Sequence, residues 1–301
     1  MKSDVFYWVL NLSIHGSLVC LLIWLLRLIR PIPRRALYLL WAGAGLRLLL
    51  PFASALPWSF MGLLRQLGAR TVTLPAPSGS PGLVTANCVQ AATDYFPIRY
   101  QSDALQSLFE TCALLWAIVA TACFLTMAVL YVLTRWELRE AKPLRPGIWV
   151  SERVLSPGLV GIWKPKILVP PGMNGKLLDY VAAHERVHRR RLDNLWRLLA
   201  LLICCVHWFN PLVWLSLQRF FADMELSCDE TVVRTYPAEN RKEYALALLS
   251  VAKGRDLFVS AFGGAKLRLR IDRVLSYRRL TLGASLVCVL LAAAILTALA
   301  L

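Results

Sequence analysis

Four stretches of this sequence are long and apolar enough to cross a lipid bilayer as helices. A chain in hydrocarbon must satisfy its backbone hydrogen bonds internally, so such stretches fold as α-helices. The composition agrees, because 57% of the 301 residues are hydrophobic, against about 45–50% in soluble domains. We therefore predict a mainly α-helical, polytopic membrane protein. Its four predicted transmembrane helices cover residues 5–26, 36–56, 108–134 and 281–301.

Positive charges are distributed unevenly among the segments that join these helices. Four arginines crowd residues 27–35, and residues 135–279 contain 25 Lys and Arg against 14 Asp and Glu. Residues 57–104 contain three Arg and two Asp. Cytoplasmic loops carry the excess of Lys and Arg in membrane proteins, so we predict that residues 135–280 form a cytoplasmic domain and that both termini lie outside. This topology accounts for the net charge of +16, and we predict no direct binding of nucleic acid.

The predicted outer loop, residues 57–104, is rich in Pro, Gly, Ser and Thr, which is typical of irregular structure. It contains Cys88, for which Cys112 is one conceivable disulfide partner. None of the eight cysteines belongs to a C-x-x-C pair. The cysteine spacing therefore argues against a thiolate zinc site.

The pentapeptide His-Glu-x-x-His at residues 184–188 is the strongest chemical signal in the chain. On a helix, His184 and His188 lie one turn apart on the same face, so both imidazoles can bind one Zn²⁺ ion. Glu185 follows the first histidine, where its carboxylate can take a proton from the attacking water. The pattern predicts a metalloprotease in which Glu185 is the general base.

A catalytic zinc ion needs a third protein ligand and an open position for water. Further along the chain, Glu225 and Asp229 form a Glu-x-x-x-Asp pair, again one helical turn apart. One of these carboxylates can bind the metal while the other orients a ligand histidine. The two motifs together are far more specific than either alone.

The apolar stretch between the motifs, residues 195–217, is long enough to be mistaken for a fifth membrane span. A true span would put the two motifs on opposite faces of the membrane, where no shared metal site could form. Asn210-Pro211 interrupts the stretch with a turn signal. We therefore predict a membrane-associated helical hairpin that returns to the cytoplasmic side, with His207 near its turn bonded to the backbone.

Residues 147–171 are rich in Val and Ile and punctuated by Pro and Gly, which predicts a small β-ribbon. The clearest strand comprises Lys166, Ile167, Leu168 and Val169, bounded by prolines. We predict that a substrate adds to this strand through backbone hydrogen bonds. A helix is expected from about residue 176 to 190. Tyr180, Tyr236 and His207 are the sequence candidates for stabilising the oxyanion.

Seven segments along the chain together carry a family resemblance: RLLLP (47–51), SPGLVGIWKPKILVP (156–170), HERVH (184–188), RLD (191–193), HWFNPLVW (207–214), ELSCDE (225–230) and LRLRIDR (267–273). With them the chain resembles the BlaR/MecR family of membrane zinc metallopeptidases, the gluzincin-type protease module of β-lactam sensor-transducers. This resemblance implies that His184, His188 and Glu225 bind zinc, that Glu185 is the general base and that Asp229 supports a ligand histidine.

The resemblance also implies a bacterial plasma membrane protein that cleaves a cytoplasmic transcriptional repressor, and itself within residues 253–265, in response to a cell-wall signal. β-Lactam sensors of this family continue into a penicillin-binding domain with a Ser-x-x-Lys motif. The only Ser-x-x-Lys in this sequence, residues 250–253, lies within the predicted cytoplasmic domain and not after the fourth predicted span. Either that sensor domain is not part of this sequence, or this chain receives its signal in another way. Two other functions fit the motif, a quality-control protease like the related HtpX group and a non-catalytic transducer with structural zinc. A homodimer is compatible with each of them.

Overall fold

The computed structural model describes residues 2–28, 32–50, 103–162, 164–253 and 267–277, together with residues 290 and 293. This part of the chain is mainly helical and contains one small sheet. Short 3₁₀ turns at Leu138–Glu140 and Ala238–Asn240 precede the sheet and the seventh helix. The helices are α1 (Lys2–Leu28), α2 (Arg34–Leu49), α3 (Asp103–Glu137), α4 (Gly175–Arg190), α5 (Asp193–Val206), α6 (Pro211–Thr235), α7 (Arg241–Lys253) and α8 (267–275).

Two helices in the described ranges are long and apolar enough to cross a membrane, Val5–Leu28 and Ser107–Glu140. They coincide with the first and third predicted spans. The second predicted span is helical as far as Leu49. Residues 51–56 of that span, the predicted outer loop with Cys88 and the fourth span lie outside the described residues, apart from the start of α3 and residues 290 and 293. The number and direction of the crossings stay predictions.

The first two helices pack on α6 around a common apolar core. Large side chains from all three helices interlock there, and their burial is what the hydrophobic effect and close packing favour. As a result, the helical hairpin α1–α2 rests directly on the helix that carries Glu225. The fully or almost fully buried members of this core are Val19, Cys20, Ile23, Leu37, Ala44 and Met224.

The sheet contains four short strands, β1 (Lys142–Arg145), β2 (Ile148–Val150), β3 (Gly158–Val160) and β4 (Lys166–Val169). Their spatial order is β1-β2-β4-β3, with β2 parallel to β4 and the other neighbours antiparallel. The predicted strand at residues 166–169 is therefore confirmed. The predicted ribbon is instead a mixed four-stranded sheet. The sheet packs against α4, the helix that carries the two motif histidines.

The apolar stretch 195–217 consists of two helices rather than one. Helix α5 ends at Val206, and α6 begins at Pro211, with Asn210 as its N-cap. The Asn210 side chain accepts a hydrogen bond from the Leu212 amide at 2.9 Å, which is how an N-cap satisfies a free helix donor. The break predicted at Asn210-Pro211 is confirmed.

The turn of this hairpin packs against the first two helices. His207 is fully buried and donates from Nε2 to the Leu48 carbonyl at 3.0 Å. This is the backbone bond expected from the sequence, and it places His207 outside the metal centre. Asn210 also donates to the hydroxyls of Ser13 and Ser17 on α1, both at 2.7 Å. The hairpin is thus anchored to α1 and α2 by polar contacts at its tip.

Candidate metal centre

The two motif histidines face each other on α4, one helical turn apart. Their Nε2 atoms are separated by 3.1 Å, and both side chains are buried. Helix α4 begins after Asn174 at a glycine with positive φ and ends at Arg190, so both histidines lie in its last two turns. The structure thus aims two nitrogen donors at one point, as the spacing predicts.

Glu225 reaches the same point from α6. Its Oε2 atom lies 3.4 Å from Nε2 of His184, and its Oε1 atom lies 3.5 Å from Nε2 of His188. Ligand atoms that surround an ion tetrahedrally at roughly 2.0–2.2 Å are themselves about 3.3 Å apart. The three donors therefore match the spacing of a tetrahedral divalent ion such as Zn²⁺.

A carboxylate holds the second ring nitrogen of each histidine. Asp229 Oδ1 lies 3.2 Å from Nδ1 of His184, and Asp193 Oδ2 lies 2.5 Å from Nδ1 of His188. Such contacts fix the orientation of a ligand imidazole and leave Nε2 free for the metal. Asp229 thus lies beside a motif histidine, and its role in supporting a metal ligand stays a prediction. Asp193, which follows the motif helix directly, is a partner that the sequence patterns did not assign to a role.

Arg270 of α8 is the second residue that sequence reasoning missed. Its guanidinium pairs with Asp229 at 2.6 Å and with Glu225 at 3.3 Å. Burial raises the pKa of Glu225, but Arg270 and the two imidazoles hold that pKa well below its usual value. Burial likewise raises the pKa of Asp229, but Arg270 outweighs it and lowers the pKa to about 2. Both carboxylates are therefore ionised near neutral pH.

Cys228 is a second candidate for the third ligand, because its sulfur, His184 and His188 form a buried group with metal-ligand spacing. Its Sγ atom lies on the Nδ1 side of His184, at 3.5 Å, and donates to the His184 carbonyl at 3.4 Å. Asp229 already contacts that nitrogen. We therefore assign Glu225, which contacts both Nε2 atoms, as the better placed third donor. The sequence contains no C-x-x-C pair, and its cysteine spacing therefore gave no indication that Cys228 lies beside the two histidines.

The metal centre opens into a cleft of about 580 Å³. Glu185 lies in the wall of this cleft beside the histidines, although its side chain is largely buried. Most of the remaining wall is apolar. Its apolar members include Leu159, Val181, Phe221, Leu226, Leu248 and Leu269. A cleft with this lining suits a peptide segment that carries apolar side chains.

The predicted substrate strand, Lys166–Val169, cannot accept a further strand. β4 lies inside the sheet and is already paired with β2 on one side and β3 on the other, so that prediction is wrong. The edge strand next to the cleft is β3, whose residues Gly158 and Leu159 line it together with Pro157. The alternating pattern of residues 147–171 cannot reveal which strand becomes the edge.

The tyrosine nearest the metal centre is not one of the sequence candidates. Tyr244 of α7 lies with its hydroxyl 2.9 Å from Nδ1 of His184 and 2.7 Å from Asp229. Tyr180 also lines the cleft, but its hydroxyl donates to Glu243 at 2.9 Å. Tyr236 packs edge-on against Tyr180. Residues 254–266, which include most of the predicted self-cleavage segment 253–265, lie outside the described residues.

A His-Glu-x-x-His helix that faces an acidic donor on a second helix, beside an open cleft, is the arrangement typical of the zinc-peptidase class. Within that class the chain belongs to the BlaR1 peptidase M56 family, whose family model matches residues 7–270. The family expected from the sequence is thus confirmed.

Curated relatives match over one third of the chain. The regulatory protein BlaR1 of Bacillus licheniformis is 32% identical over 102 residues, which are 33% of this chain and 17% of the relative. The methicillin resistance mecR1 proteins of Staphylococcus aureus strain Mu50 and Staphylococcus epidermidis are 26% identical over 103 residues, 33% of this chain and 18% of each relative. The match therefore spans less than a fifth of the length of these relatives.

Proposed function

We propose that the chain is a zinc-dependent metalloendopeptidase of the bacterial plasma membrane that cleaves a cytoplasmic transcriptional repressor. The trigger would be an extracellular cell-wall signal such as β-lactam stress. The observation that carries the proposal is the convergence of His184, His188 and Glu225 on a cleft whose wall contains Glu185. Membership of the BlaR1 peptidase family supports the signalling role.

A catalytic ion fits this centre better than a structural one. Structural zinc sites are closed by four protein ligands, whereas catalytic sites keep a position open for water or substrate. Here three donors match a tetrahedral ion, and the same side chains border a large cleft. The cleft therefore favours an enzyme over a transducer in which zinc only braces the fold.

The chain supplies the proton transfers of peptide hydrolysis through Glu185. When bound, zinc acts as a Lewis acid that polarises the scissile carbonyl and makes water a better nucleophile. Glu185 accepts a proton from the attacking water as its oxygen bonds to the carbonyl carbon. The carbon–nitrogen bond then breaks, and Glu185 passes the proton to the leaving amine. Asp193 and Asp229 keep the two imidazoles oriented during these steps.

The substrate would bind as an added strand beside the free end of β3. Asn194 of α5 donates to the carbonyls of Leu159 and Gly161, both at 2.9 Å, and so occupies part of the outer edge of this strand. The neighbouring residues Pro157 and Gly158 border the cleft. Backbone pairing with this short end would hold an extended peptide across the metal centre, whatever its side chains.

Zinc binding should release protons and strengthen as the pH rises. Burial lowers the pKa of His188, but Asp193, Cys228 and Glu225 more than reverse this and raise the pKa. For His184, burial acts in the same direction and is outweighed by Cys228, Tyr244 and Asp229. An imidazole must be neutral to bind a metal, so zinc displaces these protons, and near pH 7 we expect between about one and two to be released. Calorimetry in buffers of different ionisation enthalpy measures this number. Binding without proton release would contradict the prediction.

The proposed substrate class is tested in cells that carry the chain together with a repressor gene from its own operon. We expect the repressor to be cleaved after cell-wall stress with the wild-type chain and to stay intact with Glu185→Gln. Asp179→Asn, on the exposed side of α4, is the matched control and should cleave normally. Repressor that stays intact while misfolded membrane proteins are degraded would point to the quality-control function instead.

A further inference from the structure

Two side chains on one face of helix α2 form hydrogen bonds to buried aspartates close to the candidate metal centre. Tyr38 and Trp41 are three residues apart and therefore lie on the same side of the helix. The Tyr38 hydroxyl donates to Oδ1 of Asp193 at 2.8 Å, and Nε1 of Trp41 donates to Oδ2 of Asp223 at 3.0 Å. Both aspartates are fully buried. A helix predicted to cross the membrane thus contacts the two helices that follow the motif.

Asp193 connects Tyr38 to a metal-binding histidine. Its second oxygen, Oδ2, contacts Nδ1 of His188 at 2.5 Å, while Oδ1 receives Tyr38 and lies 3.3 Å from Nε of Arg191. One oxygen of this carboxylate therefore contacts the motif histidine, and the other contacts Tyr38 of α2. A rotation of this carboxylate would change the direction in which His188 presents its Nε2 atom. The Tyr38 hydroxyl restrains that rotation.

Tyr38 is itself held in a defined position. Its ring is stacked on Phe220 of α6, with centroids 5.8 Å apart and an angle of 7° between the planes. The guanidinium carbon of Arg191 lies 4.1 Å from the centroid of the Tyr38 ring, within the range of a cation–π contact. The hydroxyl is therefore presented to Asp193 by a ring that packs against Phe220 and Arg191.

Asp223 connects α6 to the first two helices at a point two residues before Glu225. Its carboxylate receives Trp41 and pairs with Arg27 at 2.5 Å and with Arg34 at 3.3 Å. These arginines stand near the facing ends of α1 and α2. A fully buried carboxylate requires such partners. The hairpin formed by α1 and α2 therefore fixes the position of α6 just before Glu225, the third proposed zinc ligand.

We propose that α2 is the positioning element of the metal centre, and that Tyr38 is a positioning residue which acts on zinc affinity through Asp193 and His188. The proposal rests on the proposed function, because it takes His188 as a zinc ligand. It deepens that function by naming the membrane helix on which the geometry of the site depends. If α2 moved, the hydrogen bonds of Tyr38 to Asp193 and of Trp41 to Asp223 would change first. The proposed zinc ligands would move only as a consequence.

The test measures zinc affinity of the full chain, purified in detergent, by competition with a chelating dye. Tyr38→Phe removes one hydroxyl and keeps the ring. We expect its zinc dissociation constant to rise about tenfold, at the lower end of the range for residues that support a ligand histidine. Tyr131→Phe, at an exposed position of α3, is the matched control and should bind zinc as the wild type does. Equal affinities for wild type and Tyr38→Phe would overturn the proposal.

A double-mutant cycle separates positioning from simple packing. If Tyr38 acts through Asp193, the tenfold effect of Tyr38→Phe should largely disappear in an Asp193→Asn background. If the hydroxyl only stabilises the fold, the same loss should persist there, and the proposal is refuted. Peptide cleavage is recorded separately with the same preparations. A wild-type chain that binds zinc and cleaves nothing would refute the proposed peptidase, while the affinity ratios would still decide the role of Tyr38.

Discussion

Replacing Glu185 by glutamine should lower peptide cleavage by about 10²–10⁴-fold, the contribution of a positioned general base. Glutamine has nearly the same shape but cannot accept the proton of the attacking water. Glu185 lies in the cleft wall beside His184 and is not one of the three converging donors, so the variant should bind zinc with wild-type affinity. Quenched fluorescent peptides measure the rate, and atomic absorption measures the zinc content of the same sample.

The pairing of these two readouts makes the result decisive. Asp179→Asn makes the same carboxylate-to-amide change on the same helix, at an exposed side chain that pairs with Arg145. It should leave both cleavage and zinc content unchanged. Cleavage by zinc-loaded Glu185→Gln at the wild-type rate would disprove the proposed mechanism. Loss of zinc from Glu185→Gln would show instead that this carboxylate takes part in metal binding.

The sequence predicted those parts of the site that depend on local geometry. The spacing of His184 and His188 determines that they share a helix face, and Asn210-Pro211 is a break that a continuous membrane helix would not tolerate at that point. The break in turn predicted that the chain returns and brings Glu225 to the same side as the histidines. The first inference depends only on spacing within one helical turn. The second depends on the requirement that both motifs lie on one side of the membrane.

Most of the contacts that the sequence did not predict join segments far apart in the chain; the bond between His188 and Asp193, five positions apart, is an exception. Arg270 reaches Glu225 and Asp229 from a separate helix, and Tyr38 reaches Asp193 across 155 positions. No periodicity records such a pairing, because each partner satisfies its own helix pattern equally well without it. The same holds for β4, since the order of strands in a sheet is decided by packing and not by the alternation within a strand.

Glu225→Gln should weaken zinc binding by more than about 100-fold, beyond the cost of losing a residue that only supports a ligand. The neutral amide is a poorer donor than the carboxylate, whose oxygens lie 3.4 and 3.5 Å from the two Nε2 atoms. Peptide cleavage at limiting zinc should fall in parallel. Excess zinc should restore part of it, because His184, His188 and Glu185 remain in place.

Cys228→Ala is the matched comparison, because the thiol adjoins the same histidines from the same helix. It lies on the Nδ1 side of His184, so its removal should change zinc affinity by less than about tenfold, short of the loss of a supporting residue. Cobalt in place of zinc gives an independent readout, since a thiolate ligand produces a strong charge-transfer band that carboxylate and imidazole ligands do not. Such a band in the wild type, lost in Cys228→Ala, would transfer the third position from Glu225 to Cys228. Asp229 would then have to release Nδ1 of His184, because one nitrogen cannot serve both the carboxylate and the metal.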